Sequence, residues 1–143
     1  MALGLGEEGK FPDMDQNNIS TSDPGGKSKP AHIMIVEDDP IVAKTVCDIL
    51  ETFRGDFCNV IRSKHVAEEH IRRQQPDLVI LDYKLLGGSS SVLARLASNM
   101  RIPAILMSGH NVAEKAEALN FPFLEKPFSA EQLLNLVSTL LQK

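Results

Sequence analysis

From Ala31 onward the chain repeats one pattern: a short unbroken apolar run, a polar break, then a longer stretch with apolar residues every three or four positions. Unbroken runs of this kind suit strands buried on both faces of a parallel sheet, and the longer period suits helices with one buried stripe. His32-Ile33-Met34-Ile35-Val36 is the first run, closed by Glu37-Asp38-Asp39-Pro40. Asp39 can cap the next helix, with Pro40 at its first position, where a missing N–H costs nothing. Val42, Val46, Ile49, Leu50 and Phe53 then predict one apolar face, and Gly55 closes the helix.

Phe57 to Ile61 predicts a second strand, and residues 63–75 a weakly amphipathic helix broken before Pro76. Leu78-Val79-Ile80-Leu81 follows, stopping at a single carboxylate, Asp82, ahead of Gly87-Gly88. Val92, Leu93, Leu96, Ala97 and Met100 mark a third helix, capped by one of Ser89 to Ser91. Ile102 to Met107 predicts a fourth strand ending at Ser108-Gly109-His110, and a short alanine-rich helix over about residues 112–119 comes next. Phe121 to Leu124 predicts a fifth strand, placed at an edge by Pro122. Ser129 and Gln132 form a capping box for the last helix, whose Leu133, Leu134, Leu136, Val137, Leu140 and Leu141 make a broad apolar face. This succession predicts an α/β fold, a doubly wound parallel sheet with helices on both sides. Right-handed crossovers leave few topologies, and the (βα)5 flavodoxin-like strand order 2-1-3-4-5 fits best.

Residues 1–30 break the pattern. They hold five of the nine glycines and three of the eight prolines without any hydrophobic period, so they predict a flexible tail ahead of one domain over residues 31–143. Gly26-Lys27-Ser28 looks like the end of a phosphate-binding loop, but Thr21 stands where that motif needs its first glycine, and the strand follows rather than precedes it.

At 143 residues, 43% hydrophobic and 24% charged, the chain has the makings of one ordinary globular domain with a real core. A formal charge of −4 argues against direct nucleic-acid binding, which normally uses a basic face. No apolar run approaches the roughly 18 residues of a membrane helix. Met1 to Lys10 lacks the basic start and apolar middle of a signal peptide, so a cytoplasmic location without membrane contact is the default expectation. Cys47 and Cys58 form no CxxC pair and are expected to be free structural thiols.

The candidate chemistry sits at the strand ends. The first strand delivers Glu37 and Asp38, the third Asp82, the fourth Ser108 and the fifth Lys126; the second delivers none. Each alone is an ordinary helix start, turn residue or solvated charge. Together they fall on the carboxyl edge of one sheet, around the switch point between the first and third strands, where open α/β folds bind ligands. Two like charges ~4 Å apart at an effective dielectric of ~20 cost about 4 kcal/mol. Such a cluster either takes up a proton or binds a cation. Oxygen-only ligands favour Mg²⁺ over zinc, and a divalent ion beside a lysine suits phosphoryl transfer to a carboxylate. The Ser108 hydroxyl could bond a phosphoryl oxygen.

From His32 to Lys143 the chain resembles a receiver domain of the two-component response-regulator family. Four motifs carry the resemblance: Ile35-Val36-Glu37-Asp38-Asp39-Pro40, Leu78-Val79-Ile80-Leu81-Asp82, Ile105-Leu106-Met107-Ser108-Gly109 and Leu124-Glu125-Lys126-Pro127-Phe128. The resemblance implies that Asp82 is a phospho-acceptor served by a histidine kinase or a histidine phosphotransfer protein of a phosphorelay. It implies Mg²⁺ held by Glu37, Asp38, Asp82 and the Lys84 backbone carbonyl, with Asp39 left as a helix cap. Ser108 and Lys126 would be the switch hydroxyl and the phosphate-binding lysine, and the Lys126–Pro127 bond would be cis. Phe123 falls on the family's aromatic switch position, although a plain core role is an equal alternative. Lys84 and His110 occupy positions that tune phosphate lifetime. Signalling output would pass through the face of the fourth and fifth strands to a downstream protein or a second copy.

Leu86 stands where many receivers have proline, and Gly87-Gly88-Ser89 replaces a common Asp-Gly step. Asp82 to Ser108 and Ser108 to Lys126 are 26 and 18 residues apart, short for the family, so the third and fourth helices are expected to be trimmed. A non-enzymatic, stand-alone receiver is the leading expectation, although a fragment of a longer regulator or hybrid kinase would read the same. A phosphatase or phosphotransferase of the haloacid-dehalogenase type would want a second aspartate where Lys84 stands. A receiver fold kept only as an interaction module would have no need of the full set Glu37, Asp38, Asp82, Ser108 and Lys126.

Overall fold

The computed structural model describes residues 29–85, 88–109 and 120–142. The expected tail over residues 1–30 falls almost wholly outside them, as do His110 and the helix expected over residues 112–119. Within them, β1 (His32–Val36), β2 (Phe57–Ile61), β3 (Leu78–Asp82), β4 (Ala104–Ser108) and β5 (Phe123–Glu125) form one parallel sheet in the order 2-1-3-4-5. The helices are α1 (Pro40–Arg54), α2 (Lys64–Gln74), α3 (Ser91–Asn99) and a C-terminal helix (Ala130–Leu141).

Local chemistry explains the boundaries. Asp39 takes an extended conformation and its carboxylate accepts the Ile41 and Val42 N–H groups, capping α1 ahead of Pro40, while Gly55 ends it at φ 74°. Ser63 caps α2, and Ser129 with Gln132 makes the reciprocal capping box of the C-terminal helix. Both β3 and β4 are buried along their whole length, which is why they read as unbroken apolar runs.

The sheet has a core on each side. Ile33, Ile35, Leu78, Ile80, Ile105 and Met107 pack under α1 and the C-terminal helix. Met34, Val36, Val79, Leu81 and Leu106 pack under α2 and α3 with Tyr83. Two expectations need correcting. Phe53 is 68% exposed rather than part of the α1 stripe, which runs through Ala43, Val46 and Leu50. The helix is about 22 Å long against about 17 Å of strand, longer than the sheet can cover. Ser90 stands at the N-cap of α3 but gives that helix no side-chain hydrogen bond. The Cys47 and Cys58 thiols are free and half-buried, as expected. Among the described residues no helix is long and apolar enough to cross a membrane.

One polar knot anchors the amino end of β1. The buried Asp56 carboxylate accepts the Arg54 Nε–H at 2.6 Å and the Ala31 N–H at 3.2 Å, and Arg54 also donates to Ser138 of the C-terminal helix at 2.8 Å. The Asp56 side chain is only 1% exposed, so removing its partner strands a buried charge. Arg54→Ala is expected to cost about 2–3 kcal/mol in urea unfolding, and Arg54→Ala with Asp56→Ala less than the two single losses combined. Additive losses would show that the pair does not act as a unit.

Candidate functional site

The strand registers bring the carboxyl ends level: Val36 lies beside both Ile61 and Leu81, Asp82 beside Met107, and Ser108 beside Glu125. The residue that closes β3 or β4, or follows β1 or β5, therefore opens onto one edge. Glu37 is 1% exposed, Asp82 7% and Ser108 2%, a degree of burial that carboxylates rarely reach without partners.

The partner is Lys126. Its Nζ lies 3.2 Å from Asp82 Oδ1 and 3.3 Å from Glu37 Oε1, and its backbone N–H donates to the Ser108 carbonyl at 2.8 Å. The second Glu37 oxygen accepts the Asp39 N–H at 3.0 Å, so both of its oxygens are held. Asp38, half-buried, completes the group: Glu37, Asp38 and Asp82 each offer one oxygen, and these lie within 4.8 Å of one another. Hard, oxygen-only donors at this spacing fit a divalent cation such as Mg²⁺.

The electrostatics follow from that crowding. Burial pushes the Glu37 carboxyl above its ordinary 4.5; the Asp39 N–H opposes the rise and the Asp82 charge adds to it. Burial alone would lower the Lys126 ammonium, but the Asp82 charge, then that of Glu37, outweighs it and holds it above 10.5. One cation thus serves two buried anions and leaves Asp38 outside the pairing.

The backbone behind Asp82 is fixed by groups the sequence did not point to. Ser90, fully buried, donates its hydroxyl to the Asp82 carbonyl at 2.7 Å and its N–H to the Tyr83 carbonyl at 3.0 Å. The Tyr83 N–H reaches across to the Met107 carbonyl at 2.7 Å. A minimal antiparallel ribbon, Lys84 opposite Ser89 and Leu85 opposite Gly88, closes the loop between β3 and α3. The serine run was the available signal, but it reads equally as a helix cap. Lys84 is exposed, Phe123 is half-buried against the α2–α3 core, and the Lys126–Pro127 bond is cis.

A doubly wound parallel sheet with an acidic pocket and a lysine at its switch point is the class of protein that fold and site define. A family model described as the response regulator receiver domain matches residues 33–138. The chain is 30% identical over 118 residues to the nitrogen assimilation regulatory protein NtrX of Azorhizobium caulinodans, which covers 77% of this chain and 26% of that protein. It is 27% identical over 120 residues to the phosphate regulon transcriptional regulatory protein PhoB of Klebsiella pneumoniae, covering 78% of this chain and 52% of the relative. The crystal structure of a response regulator receiver protein from Sinorhizobium medicae matches with a TM-score of 0.72 at 25% identity, over 80% of this chain and 96% of that one. The chain spans about half or less of the length of these two curated relatives. It belongs to the response-regulator receiver family, whose domains serve phosphorylation-dependent signalling in two-component systems.

The raised Glu37 carboxyl has a measurable consequence. Above pH 4.5 the folded chain keeps a proton that the unfolded chain has released, so this contribution to stability is whole below 4.5 and falls as pH rises through the folded value. Urea unfolding between about pH 4 and pH 7 is expected to show a shallower decline for Glu37→Gln than for the wild type. An unchanged slope would remove Glu37 from the account.

Proposed function

We propose that residues 31–143 act as a receiver that takes a phosphoryl group on Asp82 and changes a protein contact in response. The observation that carries this is the Lys126 ammonium spanning Asp82 and Glu37 at 3.2 and 3.3 Å, beside a third carboxylate, on the carboxyl edge of the sheet. An Asp82 carboxylate oxygen attacks phosphorus, the new O–P bond forms as the N–P bond of a phosphohistidine breaks, and the imidazole leaves. Lys126 follows the charge as it spreads onto the phosphoryl oxygens, with no reorganisation of solvent. The Ser108 hydroxyl binds one of those oxygens.

Glu37, Asp38, Asp82 and the Lys84 carbonyl would hold Mg²⁺, which neutralises phosphoryl charge and aligns donor and acceptor. The donor is a histidine kinase or a histidine phosphotransfer protein. Movement of Ser108 toward the phosphate opens room for the half-buried Phe123, biasing a two-state surface on β4 and β5 that a downstream protein or a second copy reads. Lys84 and His110 stand two positions beyond Asp82 and Ser108 in the sequence, where the family pattern places residues that tune phosphate lifetime. Glu37, Asp38, Asp82, Ser108 and Lys126 together favour this over an interaction module, and Lys84 takes the place of the second aspartate of a haloacid-dehalogenase-type enzyme.

Incubation with acetyl phosphate and Mg²⁺, followed by intact mass, is expected to add one phosphoryl group to the wild type and none to Asp82→Ala or to chelated samples. Lys126→Ala is expected to slow the addition by about a hundredfold. No adduct from either acetyl phosphate or phosphorylated kinase would sink the proposal. Multiple turnover of unrelated phosphate esters would point to an enzyme instead.

A further inference from the structure

β2 is the strand to which the sequence assigned no site residue, yet it reaches the acidic loop twice. Its last residue, Ile61, accepts the Glu37 N–H at 3.0 Å. The next residue, Arg62, extends an exposed side chain over the same loop, with Nη2 3.4 Å from the Asp38 carbonyl oxygen. A contact of that length on an exposed side chain is a weak hydrogen bond and holds little in place. Its charge is another matter. The guanidinium approaches from the β2 edge, whereas Lys126 enters from β5 on the opposite side of β1 and β3.

Lys126 and Arg62 therefore approach the acidic group from opposite sides, and they differ in kind. Lys126 is engaged directly with Glu37 and Asp82. Arg62 bonds the backbone carbonyl of Asp38, the residue whose carboxylate stands outside the two Lys126 ion pairs, and so acts on the pocket through space. We propose that Arg62 sets the divalent-cation affinity of the pocket, repelling the ion enough to keep it exchangeable while offsetting the negative field that an anionic phosphodonor must enter. This rests on the Mg²⁺ reading of the cluster.

The test uses the full chain and MgCl₂. Tyr83 is the sole tyrosine in a chain without tryptophan and follows Asp82 directly, so its emission reports on the pocket; calorimetry gives the affinity independently. For a unit charge ~8 Å from a divalent ion, with water between them giving an effective dielectric of ~80, Arg62→Ala is expected to tighten Mg²⁺ binding about fivefold at low salt. Arg62→Glu should tighten it further and Arg62→Lys leave it near the wild type. The differences should shrink as ionic strength rises from ~0.01 to ~0.5 M, because exposed charges are screened over that range. At saturating Mg²⁺, Arg62→Glu should also need more acetyl phosphate for half-maximal phosphorylation. Affinity that is unchanged or weaker in Arg62→Glu, or a tightening that salt leaves intact, overturns the role of Arg62 alone. A wild type without any Mg²⁺ response overturns the metal reading, and this inference with it.

Discussion

Everything at the carboxyl edge answers to one constraint: three carboxylates crowd within 4.8 Å of one another, and a single lysine partners two of them directly. In water such a group would drift apart. Here it cannot, because Glu37 follows β1 and Asp82 ends β3, neighbouring strands whose register is fixed by buried apolar residues on both faces. The hydrophobic cores thus hold the carboxylates against their own repulsion. Burial first, and then the Asp82 charge beside it, raise the Glu37 carboxyl above its ordinary value. A pocket so built favours whatever adds positive charge or removes negative charge, and this is the thermodynamic reason a cation or a proton belongs there.

The repulsion also explains the anchoring around the pocket. Glu37 is held by the Asp39 N–H on one oxygen, by Lys126 on the other, and through its own N–H by Ile61. The backbone behind Asp82 is held by Ser90 and, through Tyr83, by Met107. Unlike the bonds of Asp39 and Lys126 to the Glu37 carboxylate, those of Ile61, Ser90 and Met107 engage backbone groups and do not depend on the charge of the carboxylates nearby. They keep the geometry constant while the protonation or ligation state of the pocket changes.

Much of this was legible in the residues themselves. Buried parallel strands write themselves as unbroken apolar runs, so β1, β3 and β4 and the residues that end them could be read directly, and the Asp39 cap and the Ser129–Gln132 box marked their helices. What escaped depends on distances between segments far apart in sequence. Ser90 looked like a helix cap, and only the fold brings its hydroxyl to the Asp82 carbonyl. Arg62 carried no reading in the sequence at all, and only the β1–β2 pairing brings it to Asp38. Phe53 failed for a related reason: helical period says which face a residue occupies, not whether the sheet extends far enough to cover it.

The two halves of the pocket are built with different stiffness, and on the proposed reading this decides where a phosphoryl group would act. Behind Asp82 the contacts are backbone bonds of 2.7–3.0 Å into buried elements, with no charge that phosphorylation would alter. In front, the contacts are ion pairs whose strength depends on the charge at Asp82. The movable front joins β4 through the 2.8 Å bond from the Lys126 N–H to the Ser108 carbonyl, and Lys126 directly follows β5. Lysine and switch hydroxyl therefore share a backbone link, and any shift of the ammonium toward a new dianion pulls on the residue that carries the hydroxyl. β3 resists, being hydrogen-bonded on both sides and buried throughout. β5 is a three-residue edge strand with Phe123 half-buried at its start, and it is the element with least to lose by moving.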